Sequence, residues 1–97
     1  MIAMNNTKPR FPLGQIVATP GALEALTESG QTPDEFLRRH VGGDWGDVCQ
    51  EDREANEDAL RHGERLLSSY RTRKGTKLWL ITEADRSAST ILLPEEY

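Results

Sequence analysis

One cysteine, Cys49, stands in a chain of 97 residues. A lone cysteine cannot close an internal disulfide, so this is not a disulfide-built scaffold. Histidine is nearly as scarce, with only His40 and His62. The order His40-x8-Cys49-x12-His62 matches no zinc pattern, and neither CxxC nor HxxxH occurs. No metal and no cofactor is expected. No apolar run approaches the ~18 residues of a membrane helix. The N-terminal MIAMNNTKPRFP lacks the charged-then-apolar order of a secretory signal. The cytoplasm is therefore the expected compartment, with no membrane contact. Two catalytic signatures are also missing. GGDWG at 42–46 is glycine-rich, but it carries an aspartate and no lysine, unlike a phosphate loop. No serine is framed by glycines as in a nucleophile elbow. Cys49 lies between acids in GDVCQED, and a small buried side chain is the expected reading.

Hydrophobic residues make up 36% of the chain, a small share, and the formal net charge is −4. The apolar residues are clustered, in Phe11–Val17, Leu66–Tyr70, Leu78–Ile81 and Ile91–Leu93. Clustering of this kind argues for one folded domain. Residues 1–9 read as a flexible tail and 10–97 as a single domain. The negative charge gives no general attraction to a phosphate backbone, so nucleic-acid binding is not favoured and needs a local basic face.

Punctuation sets the elements. RFPLGQIVAT reads as an edge strand, with Pro12 at its start. Thr19-Pro20 opens a helix with an apolar face of Ala22, Leu23, Ala25 and Leu26, stopped by Gly30. Thr32, Pro33 and Glu35 spell a capping box for a second helix, whose stripe is Phe36, Leu37, His40 and Val41. His40 on that stripe reads as a packed histidine. Asp47 and Gln50 open a third, mostly solvated helix with a narrow seam of Val48, Cys49, Ala55, Ala59 and Leu60. Trp45, between two glycines, plugs the core from a loop. After Gly63 the pattern becomes RLLSSYRT, KLWLIT and STILL, joined by a turn at Lys74-Gly75 and another at Ala84–Ser87. The expected fold is α+β, in the order β-α-α-α-β-β-β. Its four-stranded, mostly antiparallel sheet carries helices on one face.

Three surfaces are candidates for binding. Tyr70, Arg71, Arg73 and Lys74, with Lys77, gather at a hairpin tip, and Arg86 sits at the next turn. Alternation sends Tyr70 to the face opposite Arg71 and Arg73, so the group converges weakly. Basic residues also protect hairpins from sticking to other sheets. Glu51, Glu54 and Asp58, with Asp52 and Glu57, form an acidic helical face. Such a face is ordinarily solvated; its sharper uses are docking a basic partner or imitating DNA. Finally, if Leu78 and Leu80 face the helices, Trp79 and Ile81 face the other way, with Leu92 beside them. That side would be a larger apolar patch than a monomer exposes. It predicts a homodimer or an unidentified protein partner.

FPLGQIVATPGALEAL, HVGGDWGDV and LSSYRTRKGTKLWLITEADRSASTILLPEEY resemble a family of short bacterial proteins carried on plasmids and integrating elements. The resemblance runs from Phe11 to Tyr97, and ITEADRSASTILLPEEY is its most specific part. It implies a bacterial host and a setting in mobile DNA, and it brings no catalytic residues. Some relatives carry a label linking them to type I restriction. A methyltransferase subunit is not expected here, because the cofactor loop and catalytic motif are missing. The expectation is a small, non-catalytic, protein-binding accessory of a mobile element. The alternatives are a toxin-like RNase using Tyr70, Arg71 and Arg73, or an anti-defence protein with a DNA-mimic helix.

Overall fold

The computed structural model describes residues 8–97, so residues 1–7 of the expected tail lie outside the described residues. Lys8 and Pro9 carry no regular structure. The elements are β1 (Gln15–Ala18), α1 (Pro20–Ser29), α2 (Pro33–Val41), α3 (Gln50–His62), β2 (Leu66–Arg71), β3 (Lys77–Thr82), β4 (Ala88–Leu92) and a 3-10 turn (Pro94–Glu96). The fold is α+β in the expected order. The sheet runs β1-β4-β3-β2 and is mixed, with β1 parallel to β4 and the other pairs antiparallel.

The pairings Ser68–Leu80, Tyr70–Leu78 and Leu80–Ile91 align one side of three strands. That side meets Ala22, Ala25 and Leu26 of α1 and Phe36 and Leu37 of α2 in the main core. Burying a Leu or Phe stabilises by roughly 1.5–3 kcal/mol, so these residues supply much of the drive to fold. A second cluster joins Phe11, Trp45, Val48, Ala59 and Leu66. Trp45 does plug the core from its loop. Gly46 allows this. Its φ is +76°, and a side chain there would strike the Ser69 carbonyl, against which the loop pairs as an isolated bridge.

Local details depart from the sequence reading. β1 is shorter than RFPLGQIVAT. Gly14 takes φ +68°, and a Cβ there would collide with the Ser87 carbonyl, so extended pairing begins only at Gln15. Phe11 is buried in the second cluster instead of standing in the strand. Leu23, expected inside, is exposed. The capping box at Thr32 does not form. Thr32 makes no side-chain cap, and Glu35 accepts from Gln31 Nε2 at 2.8 Å. α3 begins at Gln50 with Cys49 at its N-cap. Cys49 and Ala55 are exposed, and the buried seam is Asn56 and Ala59. Cys49 falls outside the seam because the helix starts after it, and Asn56 enters the seam because its amide pairs with the sheet edge, as shown below.

Candidate binding surfaces

The most reactive-looking cluster lies in the core. His40, fully buried, meets Ser68 Oγ at 2.6 Å through Nδ1 and Thr82 Oγ1 at 2.8 Å through Nε2. Thr82 Oγ1 lies 2.7 Å from Ser89 Oγ, which donates to the Leu13 carbonyl at 2.8 Å. That last bond orders the hydroxyl protons beyond the ring. Ser89 spends its hydrogen on a carbonyl, so it accepts from Thr82. Thr82 then accepts from His40 Nε2–H. Burial keeps the imidazole neutral near pH 7, as the Nε2–H tautomer, so Nδ1 accepts from the Ser68 hydroxyl. Burial, and secondarily the positive charge of Arg86, lowers its pKa to about 4. Phe11 and Trp45 set their rings edgewise to it, at 5.1 and 5.8 Å. A serine–histidine pair this deep has no route to a substrate, so it ties α2 to three strands instead.

The expected surfaces fare differently. Tyr70 is buried, donates its hydroxyl to the Asp44 carbonyl at 2.6 Å, and lies beneath the Arg39 guanidinium, 4.4 Å from the ring centre. Burial pushes that hydroxyl's pKa up, away from acid chemistry near neutrality. Arg71, Arg73 and Lys74 are exposed at the tip, so the arginines and the tyrosine do not converge. Arg73 is partly engaged, through its amide with Gln31 Oε1 at 2.8 Å. Arg86 leaves the basic group altogether. Its guanidinium donates to the carbonyls of Glu64, Glu83, Ala84 and Ala59, clamping the end of α3 to the β3–β4 turn. On α3, Glu51, Glu54 and Asp58 are exposed, with Asp58 paired to Arg61 and Glu54 to Gln50. Glu57 is structural: it takes both Arg10 nitrogens and Trp45 Nε1. The Arg10 guanidinium holds its carboxyl below the usual range.

Trp79 and Ile81 do lie on the sheet side away from the helices, in register with Leu92 and Leu67. The large open patch expected there is absent. Ile81 is 6% exposed and Leu92 5%. The C-terminus supplies part of the cover. Tyr97 sets its ring edgewise on Trp79 at 5.8 Å, and Arg65 donates to the Tyr97 hydroxyl at 2.7 Å while lying 3.5 Å from Glu83. Beneath this arrangement Arg65, Leu67, Trp79, Ile81 and Tyr97 line an open, mainly apolar cleft of about 240 Å³. Tyr97 itself is 69% exposed. The other large apolar side chains left in water among the described residues are Ile16 at 43%, Val17 at 41% and Leu23 at 47%. Ile16 and Val17 belong to β1, an edge strand.

The two sheet edges are built differently. On the β2 edge Asn56 Nδ2 donates to the Leu67 carbonyl at 2.7 Å and Asn56 Oδ1 accepts from the Leu67 amide at 3.1 Å. Next along, Ser69 donates to the Trp45 carbonyl at 3.0 Å and accepts from the Asp47 amide at 2.7 Å. A side-chain amide and a loop thus replace a fifth strand. Nothing among the described residues does this for β1. Both Asn56 and the serine–threonine chain escaped the sequence reading. The latter left a signal: Ser68, Thr82 and Ser89 fall on the inward parity of otherwise apolar strands, where a polar residue needs a buried partner.

Among the described residues no three His, Cys, Asp or Glu side chains gather as metal ligands would, and no helix is long and apolar enough to cross a membrane. No family model matches the chain, and searches of curated proteins and of solved structures return no match.

Proposed function

We propose that this protein is a non-catalytic accessory module of a bacterial mobile element, and that it works by docking through the outer side and free edge of its sheet. One contrast carries the reading. The acid–base-capable histidine and its hydroxyl partners are sealed in the core and saturated with hydrogen bonds. Among the described residues the accessible large apolar side chains lie instead on β1, on α1 and around the Trp79–Tyr97 cleft. A surface of exposed apolar groups beside polar ones suits a protein partner. The mobile-element setting follows from the resemblance of the Phe11–Tyr97 segments.

Affinity capture from a bacterial host carrying such an element tests this reading. The tagged chain should retain a protein that the Trp79→Ala, Tyr97→Ala double variant retains far less well, while Lys74→Ala behaves as wild type. Equal capture by all three would count against the outer face. Induced expression should leave growth unaffected. Growth arrest relieved by Arg73→Ala would favour the toxin-like RNase and overturn the non-catalytic reading.

A further inference from the structure

We infer that β1 is a self-association edge, pairing antiparallel with β1 of a second copy to make one continuous eight-stranded sheet. The inference deepens the docking reading and rests on it for the idea that the protein acts through an association surface.

The backbone defines the site. The amides of Gln15 and Thr19 donate inward, to the Ser87 and Ile91 carbonyls of the β4 side, at 2.9 and 3.0 Å. Strand alternation then turns the amide and carbonyl of Ile16 and of Ala18 outward. Among the described residues no group pairs with them. An outward row of this kind is a template for another extended strand. Proteins ordinarily blunt such rows with lysine, proline, a bulge or a covering segment. The β2 edge is covered, as described, and the hairpin tip carries Arg71, Arg73 and Lys74. Gln15–Ala18 carries no charge, proline or bulge, and no segment among the described residues covers it; its protection is its shortness, four residues.

The strand's own chemistry selects a second copy. Gln15-Ile16-Val17-Ala18-Thr19 reads polar, apolar, apolar, apolar, polar in either direction, with no charge. An isologous twofold requires that sort of self-complementarity. With the axis beside Val17, Ile16 faces the partner copy's Ala18 as a hydrogen-bonded pair. Each such pair exchanges two backbone bonds, and the twofold repeats it. Val17 meets its own counterpart in the closer, non-hydrogen-bonded position, and Gln15 faces Thr19. No like charges meet across the seam. The register places both sets of helices on the same side of the joined sheet, and it covers Ile16 and Val17, two of the largest apolar exposures on the surface.

Sedimentation and cysteine cross-linking test the inference. The wild-type chain should show twice the single-chain mass across the micromolar range, and Ile16→Lys and Val17→Lys should each halve it. Lysine at 17 places like charges directly opposite across the axis. Both positions are exposed, and circular dichroism should show each variant folded. In a Cys49→Ser background, Val17→Cys should form an intermolecular disulfide with oxidised glutathione as the oxidant, because Cα atoms of a non-hydrogen-bonded pair stand at bridging distance. Thr90→Cys, one strand further in, should not. A single-chain mass throughout, with Val17→Cys linking no faster than Thr90→Cys, would overturn the inference and leave the edge to a strand of another protein. Partner capture by such a monomer would still sustain the docking reading. A dimer that captures nothing would instead sink that reading and keep the edge pairing.

Discussion

Along β2, Leu67 and Ser69 bond outward to Asn56, Trp45 and Asp47, and inward-facing Ser68 is tied to His40. Along β1, four residues hold to β4 on one side, and among the described residues nothing holds them on the other. The same sheet therefore has one edge fastened by side chains from two helices and a loop, and one edge fastened only by its neighbour. The difference separates the edge that carries stability from the edge that the proposed association would use. Cutting ties on the β2 side should cost folding free energy. Changes on the outer side of β1 should cost almost none and should show in mass instead.

His40→Ala should have the largest effect. It removes a packed ring and strands the Ser68 hydroxyl and the donor chain through Thr82. A loss of about 3–5 kcal/mol in denaturant unfolding is expected for a buried aromatic truncation that orphans polar partners. A loss below ~1 kcal/mol would show that the network is ornamental. Acid provides a related cut without mutation. The folded pKa of His40, about 4, lies below that of a free histidine, so the unfolded chain takes the proton first. The contribution is complete above the unfolded value and disappears as pH falls to the folded one. Between about pH 6.5 and 4 that amounts to roughly 3 kcal/mol, at 1.36 kcal/mol per unit. Asp44 and Glu57, held low by Arg39 and Arg10, add their own losses as pH falls further. His40→Gln should flatten the slope between near-neutral pH and 4 while leaving the carboxylate part in place.

Asn56→Ala comes next. It frees both Leu67 groups on a half-buried edge, and a loss of about 1–3 kcal/mol is expected for those unmet bonds. The β2 edge then keeps only the bonds of Ser69 to the Trp45 and Asp47 backbone, so amide exchange at Leu67 should quicken while Ser69 stays protected. Arg10→Ala removes a half-exposed pair with Glu57, and less than ~1 kcal/mol is expected. Trp45 fluorescence should shift, because Glu57 also accepts from its indole. Ile16→Thr and Val17→Thr should change stability by no more than ~0.5 kcal/mol.

Much of the fold was legible because its signals are local. Thr19-Pro20 and Gly30 bound α1, and parity in KLWLIT separates Leu78 and Leu80 from Trp79 and Ile81. What escaped depends on pairs distant in sequence. Asn56 looks like one more polar residue on a solvated helix until Leu67 lies beside it. Cys49 sits among apolar-seam candidates, yet the helix starts one residue later and leaves it outside. The Trp79 face is less bare than strand parity alone predicts, because Tyr97 and Arg65, from the two ends of the strand region, pack across part of it. The real exposure fell on Ile16 and Val17, whose strand Gly14 shortens, and no periodicity separates an edge strand that is covered from one that is not.

Amide hydrogen exchange at four positions, in dilute and in concentrated protein, tests the central claim most directly. Leu67 and Ser69 should be protected at both concentrations, while Ile16 and Ala18 exchange freely when dilute and become protected when concentrated. Protection at Ile16 and Ala18 that ignores concentration would contradict the account of β1 as the surface through which this protein associates.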